Sequence, residues 1–375
     1  MAKHRSMQRA PRPALTAPAS LPDSLRAVLG PPLGLETADI AIQNLRPLAS
    51  STSRNTWAFD AVAPSERRAL ILYEGQAEGM GGSLELQARA QVAAAMQGVP
   101  VARIVAVDDS PGVLGHPFLI SEMVKGETDY SRIVHQLDRA DPQGGRAQLL
   151  RQCARALAAI HRVDARTPEP YRPQRISHCR RKLDQQGVVS APFEWAFRWL
   201  INHQPPPSPA VLVHGDYRMG NLIVDGHDLT AVLDWEWVHV GEASEDLAWF
   251  CVRTWRFGAP AGRGAGGLGS IENFLHAYQE ASGTTVDRVG FHWWLVMATL
   301  FTGILRREQA QKWSAIKHPP LQLAAIGRRI CENEWDLLNL LDGRAIEEIG
   351  QYSLSDPSSA PVNHIPSRGW KDLLG

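Results

Sequence analysis

Residues able to do chemistry gather in two short stretches. In VLVHGDYRMGNLIV (residues 211–224) and LTAVLDWEW (229–237), strongly apolar runs deliver Asp216 and Asp234, and Asn221 stands five residues after the first. A carboxylate next to apolar segments is costly unless it is paired or binds a metal. Oxygen-bearing side chains such as Asn221 and Asp234 suit magnesium, which takes few protein ligands and keeps room for waters and phosphate oxygens. Asp216 is then left to orient a hydroxyl group and accept its proton. An Asp, an Asn some residues on and a later metal-binding Asp is the pattern of phosphoryl transfer, where cations neutralise the moving charge and a carboxylate aims the attacker. Singly, each of the three is an ordinary turn residue. Jointly they make a metal–phosphate site.

The elements around them read as short strands. VLVH and NLIV flank a loop, and LTAVLD follows through the turn DGHD, so a hairpin brings Asn221 and Asp234 to the same end of two strands. Upstream, over 36–124, IAIQNLRPLA, TWAFDAV, RRALILYE, VARIVAVDD and HPFLISEMV read as strands. SLELQARAQVAAAMQG between them reads as a helix with Ser83 as N-cap and Gly98 at its end. After Gly126 the pattern turns helical: Leu149, Leu150, Cys153, Leu157 and Ile160 repeat at helical spacing within 146–162. Further helices are expected over 188–203, 271–281, 288–313 and 319–342. The fold class is therefore α+β: a small, mostly antiparallel sheet lobe (36–124) and a larger, mainly helical lobe (125–342). Residues 1–35 are expected to be a loose tail, because prolines at 11, 13, 18 and 22 oppose a helix, and 343–375 a loose polar extension.

Bulk properties remove several function classes. Of 375 residues, 39 are basic and 39 acidic, giving a net charge of +0 and no footprint for a nucleic-acid partner. Cys153, Cys179, Cys251 and Cys331 form no closely spaced pair, which fits a reducing cytoplasmic setting. The longest apolar stretch, Phe291 to Leu305, is shorter than a membrane span needs and reads as a buried helix. The sequence carries no sign of oligomeric state.

HGDYRMGN followed by AVLDWEW resembles the catalytic core of the aminoglycoside phosphotransferase and choline kinase superfamily. GEASEDLAWFCVRTWRFG and AAIGRRICENEWDLL further resemble bacterial phosphotransferase-family proteins similar to the kinase-like domain of certain acyl-CoA dehydrogenases. The resemblance spans about residues 40–342 and implies a protein-kinase-like two-lobe fold binding ATP (or GTP) and Mg2+ between the lobes. It implies Asp216 as catalytic base, Asn221 and Asp234 as magnesium ligands, and His214 and Asp246 as structural support for the active site. It also implies Ser121, Glu122 and Met123 as the hinge that meets the nucleobase, and Ser51, Ser53 and Arg54 as contacts of the nucleotide phosphates.

The chain departs from the family in the first lobe. The third strand normally carries a Lys or Arg that grips phosphate; here that place falls on Leu72 or Tyr73, and the usual glutamate partner falls near Gln87. LASSTSRNTW has serines where glycines are common. Two readings follow. Either cations have moved, with Arg54 or Arg89 as replacements and a small-molecule hydroxyl as acceptor, or the chain is a catalytically impaired kinase-like binding protein.

Around the acceptor, Trp255, Trp293 and Trp294 are candidates for a pocket lining, although tryptophans on helices are commonly core. Arg253, Arg256, Arg306 and Arg307 favour an apolar or anion-bearing acceptor such as a hydroxyacyl compound. GAPAGRGAGGLGS (258–270) lacks the Lys-Ser/Thr ending of a phosphate loop and reads as a mobile surface loop. Glu236 is open to a second metal or to a salt bridge.

Overall fold

The computed structural model describes residues 20–48, 55–75, 83–110, 112–140, 144–164, 171–187, 190–314, 316 and 321–342. Its first lobe is an antiparallel five-stranded sheet in the order β1-β2-β3-β5-β4, made of β1 (Ala41–Pro47), β2 (Thr56–Ala63), β3 (Glu66–Glu74), β4 (Ile104–Asp108) and β5 (Phe118–Glu122). Alternation along the strands gives the sheet two apolar faces. One face presents Trp57, Phe59, Leu70, Leu72, Phe118 and Ile120 to helix α1 (Leu21–Leu33), which inserts Leu21, Leu25 and Leu29. The other face packs Tyr73, Ile104, Val107 and Leu119 against Leu84 and Ala88 of helix α2 (Leu84–Met96).

Helix α1 corrects the expectation of a loose tail over 1–35. Pro22 lies in the first turn, where its missing N–H costs nothing, and Leu21, Leu25 and Leu29 fall on one face. Gly34, at φ +67°, ends the helix in the left-handed conformation. Residues 1–19 and 343–375 lie outside the described residues.

Helix α2 starts as the sequence suggests. The Ser83 hydroxyl accepts from Leu86 N (3.0 Å), and Asp109, just beyond β4, adds a cap by accepting from Leu84 N (2.7 Å). Its far end enters the second lobe: Ala90, Ala94 and Val99 belong to the large core there. A backbone link also joins the lobes: Val232 N donates to Pro100 O (2.8 Å).

The second lobe contains α3 (Tyr130–Ala140), α4 (Gly145–Ile160), α5 (Tyr171–Gln185), α6 (Ala191–Asn202), α7 (Ala243–Cys251), α8 (Ile271–Ser282), α9 (Arg288–Ser314), α10 (Leu321–Arg328) and α11 (Ile330–Leu341). The buried α4, with Leu149, Leu150, Cys153, Leu157 and Ile160 inward, is its spine. Helix α9 is long and apolar enough by composition to cross a membrane, but 78% of that window is buried among its neighbours. The single helix expected over 319–342 is broken at Arg329. There the Arg329 carbonyl accepts from Glu332 N (3.1 Å), a bond one residue shorter than the α-helical one, and from Arg306 Nη1 (2.8 Å). Helices α3, α5 and α7 were not foreseen. Residues 171–185 are too rich in Arg and Lys to show an apolar period.

Candidate active site

Four short strands carry the site. Strand β6 (Ala210–Val213) pairs antiparallel with β9 (His239–Glu242), and β7 (Leu222–Asp225) pairs with β8 (Asp228–Val232) as the expected hairpin. The β6–β9 pairing, which the sequence reading lacked, lays segment 214–221 beside 233–238. Leu233 N donates to Asn221 O (2.8 Å), so Asp234 follows directly on a residue bonded to Asn221. Asp234 has φ +65°, a conformation Asp tolerates better than most residues and one that concentrates at functional sites.

The loop is braced from beneath by Asp246, in the first turn of α7 and fully buried. Its carboxylate accepts from His214 N (2.7 Å), Gly215 N (2.9 Å) and His161 Nε2 (3.2 Å), and His161 Nδ1 meets Tyr278 OH at 2.8 Å. Burial alone would raise its pKa. The hydrogen bonds from His161 and from the His214 backbone N–H outweigh burial and hold the carboxyl below its ordinary value. Gly215 is required by geometry: its φ is +83°, and a Cβ there would stand 2.5 Å from Trp237 O.

His214 is buried, and burial lowers its pKa against the pull of Asp246 and Asp216. The neutral ring fits one tautomer. Nε2–H donates to Leu233 O (3.0 Å), and Nδ1 accepts from Asp216 N (3.2 Å). His214 thus ties the Asp216 loop to the Asp234 segment.

Around the Asp216 carboxylate three donors converge. Arg218 Nε spans both oxygens (3.0 and 3.1 Å), Asn221 Nδ2 donates to Oδ2 (2.6 Å), and Trp249 Nε1 donates to Oδ1 (2.8 Å). Asn221 Nδ2 also meets Asp216 O (2.9 Å). With the amide nitrogen so engaged, Asn221 turns its oxygen into the acceptor of the pair. An amide oxygen and the Asp234 carboxylate are a hard, all-oxygen donor set, which fits Mg2+. Among the described residues no group of three or more His, Cys, Asp and Glu side chains is arranged to hold a metal, so a softer or more crowded site has no counterpart there.

Other sites foreseen from sequence fare unevenly. Ser51, Ser53 and Arg54 lie outside the described residues. Ser121 is buried on β5 opposite Ile71 and Ile104. The backbone N–H groups of Glu122 and Met123 donate to Arg103 O and Ala69 O (both 2.8 Å), and the Glu122 carboxylate pairs with Arg103 (2.5 Å) and Arg68 (3.5 Å). Leu72 faces α1, so the place of the third-strand cation on the α2 face belongs to Tyr73. Glu236 accepts from Trp237 Nε1 (3.0 Å).

The expected mobile loop over 258–270 is packed instead: residues 264–268 are buried, and a Cβ on Gly266 would reach 2.4 Å from the Phe250 ring. Three of the arginines first tied to the acceptor have structural partners. Arg253 pairs with Asp336 (2.7 Å), Arg306 with Asn333 Oδ1 (2.6 Å), and Arg256 Nε donates to Gly264 O (3.2 Å). Trp293 is core, its indole N–H on Leu200 O (3.0 Å).

Behind Trp249 lies a space with room for about one water molecule, lined by Arg175, Glu245, Trp249, Trp294, Met297, Ala298 and Phe301. Arg175 lies 4.4 Å above the Phe301 ring and 3.4 Å from Glu245. His239 meets Glu245 Oε2 (3.1 Å) and Trp237 O (2.7 Å), and the Glu245 charge raises its pKa despite burial. Arg218, 4.8 Å over the Trp255 ring, and Trp249 both bond the Asp216 carboxylate and were not foreseen from the sequence. Arg218 stood in the quoted motif two places after Asp216; Arg175 sits in a polar stretch that gave no signal.

The sequence model of the phosphotransferase enzyme family matches residues 44–292. Among solved structures, a Ralstonia eutropha protein assigned to the aminoglycoside phosphotransferases superposes with TM-score 0.64 at 20% identity, over 84% of this chain and 97% of that one. Spectinomycin phosphotransferase, in complex with ADP and spectinomycin, gives 0.57 at 12% identity over 88% and 99% of the two chains. A choline/ethanolamine kinase family protein from Mesorhizobium loti gives 0.54 at 16% over 87% and 98%. Among curated proteins, acyl-CoA dehydrogenase family member 10 of Mus musculus is 39% identical over 61 residues, which is 16% of this chain and 6% of that protein.

Proposed function

The chain belongs to the phosphotransferase enzyme family, and on that premise we propose that it moves the terminal phosphoryl group of ATP (or GTP) to a hydroxyl group of a small molecule. The observation that carries this reading is the Asp216 carboxylate, held by Arg218, Asn221 and Trp249. In that role Asp216 accepts the proton of the acceptor hydroxyl as the oxygen attacks phosphorus. Positioning of this kind, with a base aimed and donors preorganised, is most of what a protein contributes to phosphoryl transfer.

Asn221 and Asp234 would hold Mg2+, which supplies charge neutralisation for the nucleotide phosphates. Arg218 is a cation at the reacting centre, and we assign to it part of the work that the missing third-strand Lys or Arg does elsewhere in the family. The solved spectinomycin phosphotransferase holding ADP supports a nucleotide in the corresponding cleft.

A direct test is nucleotide consumption with hydroxylated acceptors, comparing wild type with Asp216→Ala and Asp234→Ala. Loss of a general base slows turnover by about 10²–10⁴-fold, and removal of Asp234 also weakens metal-dependent nucleotide binding. Turnover indifferent to both changes refutes the assignment. Tyr73 in place of the third-strand cation favours the second reading, a kinase-like binding protein without catalysis. Calorimetry with Mg-ATP separates the readings from a relic that binds no nucleotide at all, and turnover separates them from each other.

A further inference from the structure

The indole N–H of Trp249 donates to Asp216 Oδ1 (2.8 Å). We propose that Trp249 is a positioning residue that aims the Asp216 carboxylate. The proposal depends on Asp216 acting as the base.

The geometry argues for this step by step. The terminal torsion of an Asp side chain is broad and roughly two-fold, so a carboxylate needs distinct partners on its two oxygens to be held in one plane. Arg218 Nε spans both oxygens almost equally, at 3.0 and 3.1 Å, and cannot distinguish them. Asn221 holds Oδ2, and Trp249 supplies the matching donor on Oδ1. The indole is itself clamped: it is buried, with ring centroids 5.6 Å from Trp255 and 5.9 Å from Phe301.

Its origin is equally constrained. Trp249 lies three residues after Asp246 on α7, so both project from the same helix face. Asp246 fixes the backbone at His214 and Gly215, and Trp249 fixes the side chain of the next residue. An indole nitrogen only donates. It can hold the carboxylate without taking up the proton that the carboxylate must receive, which a histidine or carboxyl group at this place would compete for.

The test uses the full chain, Mg-ATP, and two acceptors: water, and hexan-2-ol as an apolar alcohol probe. Trp249→Phe keeps a ring and deletes the N–H. We expect kcat to fall at least about tenfold, since one bond to a charged group is lost, with KM for Mg-ATP and for the alcohol within about twofold. Trp249→Leu, which also deletes the N–H, should lower kcat similarly with both KM values again within about twofold. A purely structural tryptophan would not split kcat from KM in this way. A Trp249→Phe enzyme within twofold of wild-type kcat overturns the proposal. Indole ¹H–¹⁵N spectra of the wild-type backbone give a readout that needs no change at 249. Asp216→Asn should displace one indole resonance that Asp234→Asn leaves in place, and no displacement overturns the proposal. Wild-type turnover that Asp216→Ala does not lower counts instead against the phosphotransfer reading, while the spectra still decide the Trp249–Asp216 bond.

Discussion

Replacing Asp246 with Asn removes one charge from a fully buried site while preserving shape, and its consequence can be worked out from the bonds it makes. The carboxylate accepts from His214 N, Gly215 N and His161 Nε2 at 2.7, 2.9 and 3.2 Å. An amide has one oxygen and one NH2 group, so at least one of these donors then faces another donor. Bonds to a charged group contribute about 1.5–3 kcal/mol each, and a buried donor left unsatisfied costs about 1–3 kcal/mol. Allowing for local relaxation, Asp246→Asn should destabilise the protein by about 2–4 kcal/mol. Urea unfolding should show this as a lowered midpoint at constant slope.

Asp246→Asn should also change the response to acid. The folded-state pKa of Asp246 is depressed, so its stabilising contribution is fully present above the unfolded carboxylate value, near 4, and is lost as pH falls through the lower folded value. Wild-type stability should therefore fall more steeply than that of the variant below about pH 4. Turnover should drop alongside stability even at neutral pH, because the freed His214–Gly215 backbone carries Asp216. A variant within about 0.5 kcal/mol of wild type, with unchanged turnover, would refute the view that Asp246 braces the catalytic loop.

Gly215→Ala should cost about 1–3 kcal/mol and lower turnover, since its Cβ meets Trp237 O at 2.5 Å in a left-handed backbone; thermal melts and kinetics check both. Leu25→Ala, at a fully buried position of α1, should destabilise the first lobe by about 2–4 kcal/mol, and an unchanged unfolding midpoint would show that α1 is dispensable. Chelation of divalent ions should abolish nucleotide consumption and added Mg2+ restore it, with Asp234→Asn shifting the restoration to higher Mg2+.

Much of this architecture was legible because local signals agreed with tertiary demands. The strands of the first lobe alternate or run apolar, and Ser83 caps α2 as its type suggests. Asp216 and Asn221 come together because their spacing lets a short loop fold the amide back onto the carboxylate. What escaped the sequence depended on distant partners. Helix α1 was hidden because Pro22 falls in a first turn that tolerates it, and the turn at Arg329 carries a bond from Arg306, 23 residues away. Trp249 and Arg175 lie on α7 and α5, whose packing against the site no local pattern announces. Arginines counted as acceptor contacts proved to be pinned to Asp336, Asn333 and a glycine carbonyl.

The central claim is that Asn221 and Asp234 hold a divalent ion while Asp216 stays free to take a proton. A crystal structure with Mg2+ and a non-hydrolysable nucleotide tests it most directly. The result expected is an ion bonded to Asn221 Oδ1 and the Asp234 carboxylate at about 2.0–2.1 Å, with Asp216 off the metal. A nucleotide whose metal sits on Asp216, or is held by neither Asn221 nor Asp234, would contradict it.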